Sequence, residues 1–286
     1  MSVLLPPALD WRGAAALRAL RRAAHPAPVE REALELHSTA GYKLAAQLLR
    51  PKGAGPLPGL VVSPAIHQGI EALSGRGAVV DGAELASLGF AVLLHDPAGR
   101  GASWGEEDFG GPEHQDDVRV CVRHLAAHPA CTGRVGLLSL SLGVAAAVGA
   151  AARWPELPLD WLVDWEGPCD REIITAGGTR LEPAAGHTLD DDHYWASREA
   201  VRGVAWLTCG YLRLQAFPDH AQPDELRHAR RMVHAAAAGP ARFVQLNDHP
   251  IGQVPSRPEW LAGGAWAANR AILAALRRLR RGAYPG

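Results

Sequence analysis

Short, nearly unbroken apolar runs recur along the chain at Gly59–Ser63, Phe90–His95, Val135–Leu138, Leu159–Val163, Tyr211–Gln215 and Arg242–Leu246. Between them lie stretches with helical spacing of apolar positions, near 77–88, 113–128, 141–153, 223–238 and 258–281. A strand covered on both faces reads as a continuous apolar run, and parallel neighbours need a crossover, usually a helix. The alternation therefore predicts an α/β fold, with a mostly parallel central sheet and helices on both faces. Ahead of it, Glu32–Thr39 and Tyr42–Arg50 flank a turn at Ala40-Gly41 and read as an N-terminal antiparallel hairpin. Residues Ala8–Ala24 set leucines among arginines and predict a helix within an N-terminal extension over 1–31.

One interval breaks the rhythm. Gly167–Val204 is too long for a single crossover helix and carries Gly177-Gly178, Pro183, Gly186 and a polar cluster from His187 to His193. It reads as a small lid insertion, at about 167–205, over the carboxyl edge of the sheet, where loops of open α/β folds line pockets. The rest of residues 1–286 is expected to form a single domain around one sheet.

Composition narrows the function classes. A formal net charge of −1 gives no electrostatic basis for binding nucleic acid or an anionic membrane. No run of about 18 apolar residues is present, so no membrane span is expected. The arginines at 12, 18, 21 and 22 precede no apolar core with a cleavage site, so the start does not read as a signal peptide, and a cytoplasmic protein is expected. Cys121, Cys131, Cys169 and Cys209 have neither metal-knuckle nor disulfide-framework spacing and read as free thiols.

Chemistry is concentrated around Ser139-Leu140-Ser141-Leu142-Gly143, between an apolar run and an alanine-rich helix pattern. A serine on a tight strand-to-helix turn, with small residues two before and two after, is the nucleophile-elbow pattern, here as S-x-S-x-G. Ser141 is the expected nucleophile; Ser139 precedes the turn and would lie in the sheet. A serine hydroxyl needs a base, and the base an orienting acid, in the chain order serine, acid, histidine. The run Tyr211–Gln215 ends in Ala216-Phe217-Pro218-Asp219-His220, and Arg242–Leu246 ends in Asn247-Asp248-His249. Asp219 and His249 would then stand at the same sheet edge as Ser141. Asp164 and Glu166 are alternative acids. His220 ranks below His249 as base, because alternation would turn it away if Asp219 points in. The oxyanion donors expected are the backbone N–H groups of Leu142 and of Ala65, or else Ile66, since Pro64 has none. The glycine-rich turn His95–Gly105 contains no phosphate-loop motif, and His187…Asp190-Asp191-Asp192-His193 reads as a solvated lid segment rather than a metal site.

With these residues placed, the chain resembles the α/β-hydrolase superfamily, in its serine-hydrolase branch, over about residues 32–281. The motifs that carry the resemblance are the Pro64–Gly69 loop, the Asp96–Ser103 turn, the elbow, the segment from Ala216 to Pro223 and the final histidine loop. It is most similar to dienelactone-hydrolase-like esterases and prolyl-oligopeptidase-type peptidase domains, and Asp191–Trp195 is similar to a segment of Xaa-Pro peptidase relatives. Dienelactone hydrolases use a cysteine where this chain has Ser141. The resemblance implies acyl transfer to water through an acyl-enzyme, with no metal or organic cofactor. The expected activity is a carboxylesterase acting on a small-molecule ester, with a peptidase or amidase on the same triad as the alternative and a non-catalytic binding protein behind it. A homodimer is left open.

Overall fold

In the computed structural model, which describes residues 28–75, 78–176, 186–220, 226–253 and 261–282, the strands in chain order are β1 (Val29–His37), β2 (Lys43–Pro51), β3 (Leu57–Ser63), β4 (Ala91–His95), β5 (Cys131–Leu140), β6 (Leu159–Trp165), β7 (Gly210–Leu214), β8 (Ala216–Phe217), β9 (Val244–Leu246), β10 (His249–Pro250) and β11 (Leu261–Ala262). The described helices are α1 (Gly82–Ser87), α2 (Pro112–Ala127), α3 (Gly143–Arg153), α4 (Arg171–Ala176), α5 (Asp192–Ala196), α6 (Ala200–Val204), α7 (Arg227–Ala237) and α8 (Ala265–Arg280). The main sheet runs β1-β2-β4-β3-β5-β6-β7-β9-β10. From β4 to β9 every pairing is parallel, whereas β1 on β2, β2 on β4 and β10 on β9 are antiparallel. The expected α/β class, hairpin included, is the observed one. The expected N-terminal helix, part of the lid interval and the start of the last helix lie outside the described residues.

Alternate residues of each central strand serve opposite cores, which is why the strands read as unbroken apolar runs. Val61, Leu93 and Leu137 face one core with α2, α3 and α7, through Val118, Val122, Val144, Val148 and Met232. Leu60, Val62, Leu94 and Leu138 face the other with α1 and α8, through Leu85, Ile272 and Leu276. Local chemistry trims the helix ends. The Asp81 carboxylate accepts the N–H groups of Ala83 and Glu84 and starts α1, and Pro112 opens α2, where a missing N–H costs nothing. All four cysteines are buried and free.

Between β6 and β7 the chain leaves the sheet and returns over its carboxyl edge. Ile174, Tyr194 and Trp195 pack around Leu142, with Ile66 against them. Arg198, at the end of this insertion, ion-pairs with Asp108, donates to the Tyr194 carbonyl and lies 3.8 Å from the centroid of the Tyr194 ring. The insertion is thereby anchored to the loop before α2. Among the described residues no helix is long and apolar enough to cross a membrane.

Candidate active site

Ser141 follows β5 with φ +50°, a left-handed conformation that costs a serine of order 1–3 kcal/mol and that the surrounding structure must impose. Its N–H closes the last ladder bond, to Trp165 O at 2.9 Å, and the chain then turns directly into α3. The turn is tight enough to dictate both flanking residues. A Cβ on Gly143 would lie 2.5 Å from the carbonyl oxygens of Ser63 and Pro64, so only glycine lets α3 approach β3 there. Ser139 is fully buried in the sheet, as expected for the small residue beneath the turn. Ser141 itself is 7% exposed.

The histidine beside Ser141 is His220. Its Nε2 lies 2.8 Å from Ser141 Oγ, and its Nδ1 lies 2.7 Å from Glu166 Oε2. A carboxylate can only accept, so Nδ1 carries the proton and Nε2 presents a lone pair to the serine hydroxyl. The ring is also stacked on Trp165, with centroids 4.7 Å apart. Glu166 follows β6 with φ +49°, and its side chain is nearly inaccessible to solvent.

This corrects two expectations. His249 is not at the serine: Asn247, at φ +53°, reverses the chain, and β10 runs back along β9 with His249 opposite Leu246. The residue is folded alongside the strand instead of projecting past its end. Asp219 is not the carboxylate closest to the catalytic-type histidine. Its Oδ2 accepts from Gln215 Nε2 at 2.7 Å, and its Oδ1 stands 3.5 Å from His220 Nδ1. The alternation argument against His220 fails because strand geometry ends at Phe217, the last residue of β8, and 218–220 bend away from it. The segment after β7 wraps the Glu166 carboxylate, which accepts the N–H of Ala216 at 2.9 Å and that of His220 at 3.1 Å. Glu166 was among the alternative acids; the signal for it was a carboxylate one residue past a strand end. Asp164, the other alternative, is committed elsewhere: it is fully buried and paired with Arg213 Nη1 at 2.7 Å and Tyr211 Oη at 2.6 Å.

The loop after β3 faces the elbow. Arg100 Nη1 donates to Ala65 O at 2.9 Å and Gln68 O at 3.2 Å, while its Nε and Nη2 form a two-pronged pair with Glu107 at 2.5 and 2.7 Å. Burial raises the Glu107 pKa, but the hydrogen bonds and charge of Arg100 outweigh it, and the net shift is downward. Among the described residues, neither Leu142 N–H nor Ala65 N–H has a hydrogen-bond acceptor, which leaves both available to a developing oxyanion. Within the turn after β4 the Asp96 carboxylate accepts from Ile70 N and Ala102 N, so this glycine-rich segment is organised around a side chain. In the insertion, Asp191 accepts from His187 and caps α5, and Asp192 pairs with Arg171 and Arg202. The only three potential metal-binding side chains that converge among the described residues are Glu166, Asp219 and His220. Within this trio His220 Nδ1 is hydrogen-bonded to Glu166 Oε2 at 2.7 Å, and Asp219 Oδ1 stands 3.5 Å from the same nitrogen.

Known proteins share this arrangement of elements. A family model of X-Pro dipeptidyl-peptidases (S15 family) matches residues 40–172, a stretch that includes Ser141 and Glu166 and stops before His220. No curated protein matches the chain. Among solved structures, a Pyrococcus furiosus esterase is 13% identical, with a TM-score of 0.62 over 86% of this chain and 92% of the esterase. The bacterial brefeldin A esterase is 17% identical, with a TM-score of 0.60 over 98% of this chain and 88% of its own. Prolyl oligopeptidase B from Galerina marginata is 14% identical, with a TM-score of 0.63, and this chain spans 37% of its length. Strand order, elbow and structural likeness agree: this chain has the α/β-hydrolase fold.

Proposed function

We propose that this protein is a serine hydrolase that cleaves carboxylic esters, with Ser141 as nucleophile, His220 as general base and Glu166 as the acid that orients it. The observation that carries this reading is the unbroken relay Ser141 Oγ–His220 Nε2–Glu166 Oε2, at 2.8 and 2.7 Å, on a serine held at positive φ. Ser141 attacks the carbonyl carbon as its proton passes to His220 Nε2. Glu166 stabilises the imidazolium and keeps the ring in the productive tautomer. The oxyanion is held by the N–H groups of Leu142, at the start of α3, and Ala65, whose loop Arg100 pins. His220 then protonates the leaving alcohol, and water returns the acyl-enzyme to Ser141 and free acid. Leu142, next to the serine in the chain, belongs to a buried apolar cluster with Ile174, Tyr194 and Trp195 on which Ile66 packs, a surrounding that favours an apolar acyl or alcohol group.

A second reading, peptide or amide cleavage by the same relay, is favoured by the family match over 40–172 and by the prolyl oligopeptidase likeness. Esters are preferred because alcohols leave more readily than amines. A fluorophosphonate probe and paired substrates, p-nitrophenyl esters against p-nitroanilide amides, test both. The ester reading expects covalent labelling of the wild type, none of Ser141→Ala, and turnover of esters well above that of anilides. Preferential anilide cleavage would establish the peptidase reading, and an unlabelled wild type would overturn hydrolysis altogether.

A further inference from the structure

His220 faces two carboxylates. Glu166 Oε2 is 2.7 Å from its Nδ1, and Asp219 Oδ1 is 3.5 Å from the same atom, with both acid side chains nearly inaccessible to solvent. Asp219 is held so that this oxygen stays turned to the ring. Its other oxygen accepts from Gln215 Nε2 at 2.7 Å and is approached by His228 Nε2 at 3.4 Å. Gln215 is fixed in turn, since its Oε1 accepts from Arg213 Nε at 3.2 Å and Nη2 at 2.6 Å. Its backbone N–H and carbonyl are both bound by the Asn247 amide. His228 Nδ1 lies 3.3 Å from Arg213 Nη2.

We infer that Asp219 is a second anionic support for His220, a positioning residue that stabilises the imidazolium formed when Ser141 gives up its proton. The inference rests on the hydrolase reading above. Before proton transfer two buried carboxylates face the ring at Nδ1. Proton transfer to Nε2 places a positive charge between the two anions, so the charge imbalance of the ground state is relieved as the reaction proceeds. Opposite charge within a few ångströms favours the protonated imidazole. Among the described residues, the groups facing the ring are Ser141 from the elbow, Trp165 and Glu166 from the end of β6, Asp219 from its own loop and, behind Asp219, His228 from α7 and Arg213 from β7. Of these, only the two carboxylates bring negative charge to Nδ1.

The test is the titration of the His220 imidazole, followed by NMR in wild type and Asp219→Asn, alongside the pH profile of kcat/KM. Removing one of two nearby anions should move the imidazole titration and the acid limb of kcat/KM together to lower pH. It should also lower kcat about 10- to 100-fold while KM changes less than about threefold. The loss should be larger in a Glu166→Gln background, where Asp219 is the remaining anion. Asp219→Ser, which keeps an acceptor for Gln215, gives the same readout if Asp219→Asn does not fold. An unchanged His220 titration in a folded variant overturns the inference whatever happens to activity. A lowered His220 titration in a protein that neither turns over esters nor takes the fluorophosphonate probe supports the pairing and overturns the hydrolase reading instead.

Discussion

Ser141 and Glu166 leave neighbouring strands by the same backbone device. Their φ angles are +50° and +49°, and each N–H makes the final bond of its ladder, Ser141 to Trp165 O at 2.9 Å and Glu166 to Leu214 O at 3.0 Å. A left-handed residue at the last rung tips its side chain over the strand end, and two such residues on paired strands β5 and β6 bring a hydroxyl and a carboxylate to either side of one imidazole. Each conformation is strained for a residue with a Cβ, and both are held by long-range contacts.

If His220 is the base, its replacement is severe and that of His249 is mild. His220→Ala should lower kcat/KM by about 10⁴-fold, comparable to the loss of Ser141, because the members of such a relay act as a unit. His249→Ala, on the turn back along β9, should stay within about threefold of wild type. Steady-state kinetics on one p-nitrophenyl ester compare the three variants. A collapse of activity in His249→Ala with His220→Ala spared would reverse the assignment.

The loop after β3, proposed to supply an oxyanion donor, is pinned by a planar guanidinium. Arg100→Lys keeps the charge but loses the two-pronged contact with Glu107 and one of the two carbonyl contacts at Ala65 and Gln68. The expected result is a kcat decrease of about tenfold or more with folding retained. Equal kcat in the variant and wild type would remove Arg100 from any role in the loop.

Arg213 and Asp164 form an ion pair with both side chains fully buried. Burial alone would favour a neutral Arg213, but the Asp164 carboxylate outweighs it and holds the guanidinium charged. Arg213→Met leaves the buried carboxylate without its counter-charge and the Gly167 carbonyl and Gln215 amide oxygen without their Arg213 donor, so the variant should be destabilised by about 3–5 kcal/mol. Denaturant unfolding measures it. A loss below about 1 kcal/mol would mean that water or a rearranged neighbour replaces the donor.

His95 is enclosed at the end of β4, with no partner for Nδ1 among the described residues, and burial, reinforced by the charges of His114 and Arg100, lowers its pKa to about 3. An unfolded chain takes up a proton near pH 6.5 that the folded state refuses until about pH 3, so stability should fall as pH drops through that window. The thermal midpoint of wild type should decline more steeply between pH 6.5 and 4 than that of His95→Gln. Parallel curves would show that His95 does not contribute to acid unfolding.

Much of the architecture could be read from local pattern. The apolar runs became β3 through β7 and β9, because a strand buried on both faces must be apolar throughout, and the spacing between runs had room for crossover helices. The elbow was equally legible. Small residues two before and two after Ser141 show the turn within five residues of sequence, although the contact that demands Gly143 is a distant one, with the Ser63 and Pro64 carbonyls at the end of β3. The partners of Ser141 were not legible in this way. Two strand ends each offered an acid and a histidine, and composition cannot say which loop stays extended and which folds back. That was decided by contacts between residues far apart in the chain: Glu166 gathering the N–H groups of Ala216 and His220, Asn247 binding Gln215, and β10 turning His249 back along β9. Periodicity determines which residues can reach the sheet edge. Which of them meet is settled by hydrogen bonds that exist only once the strands are side by side.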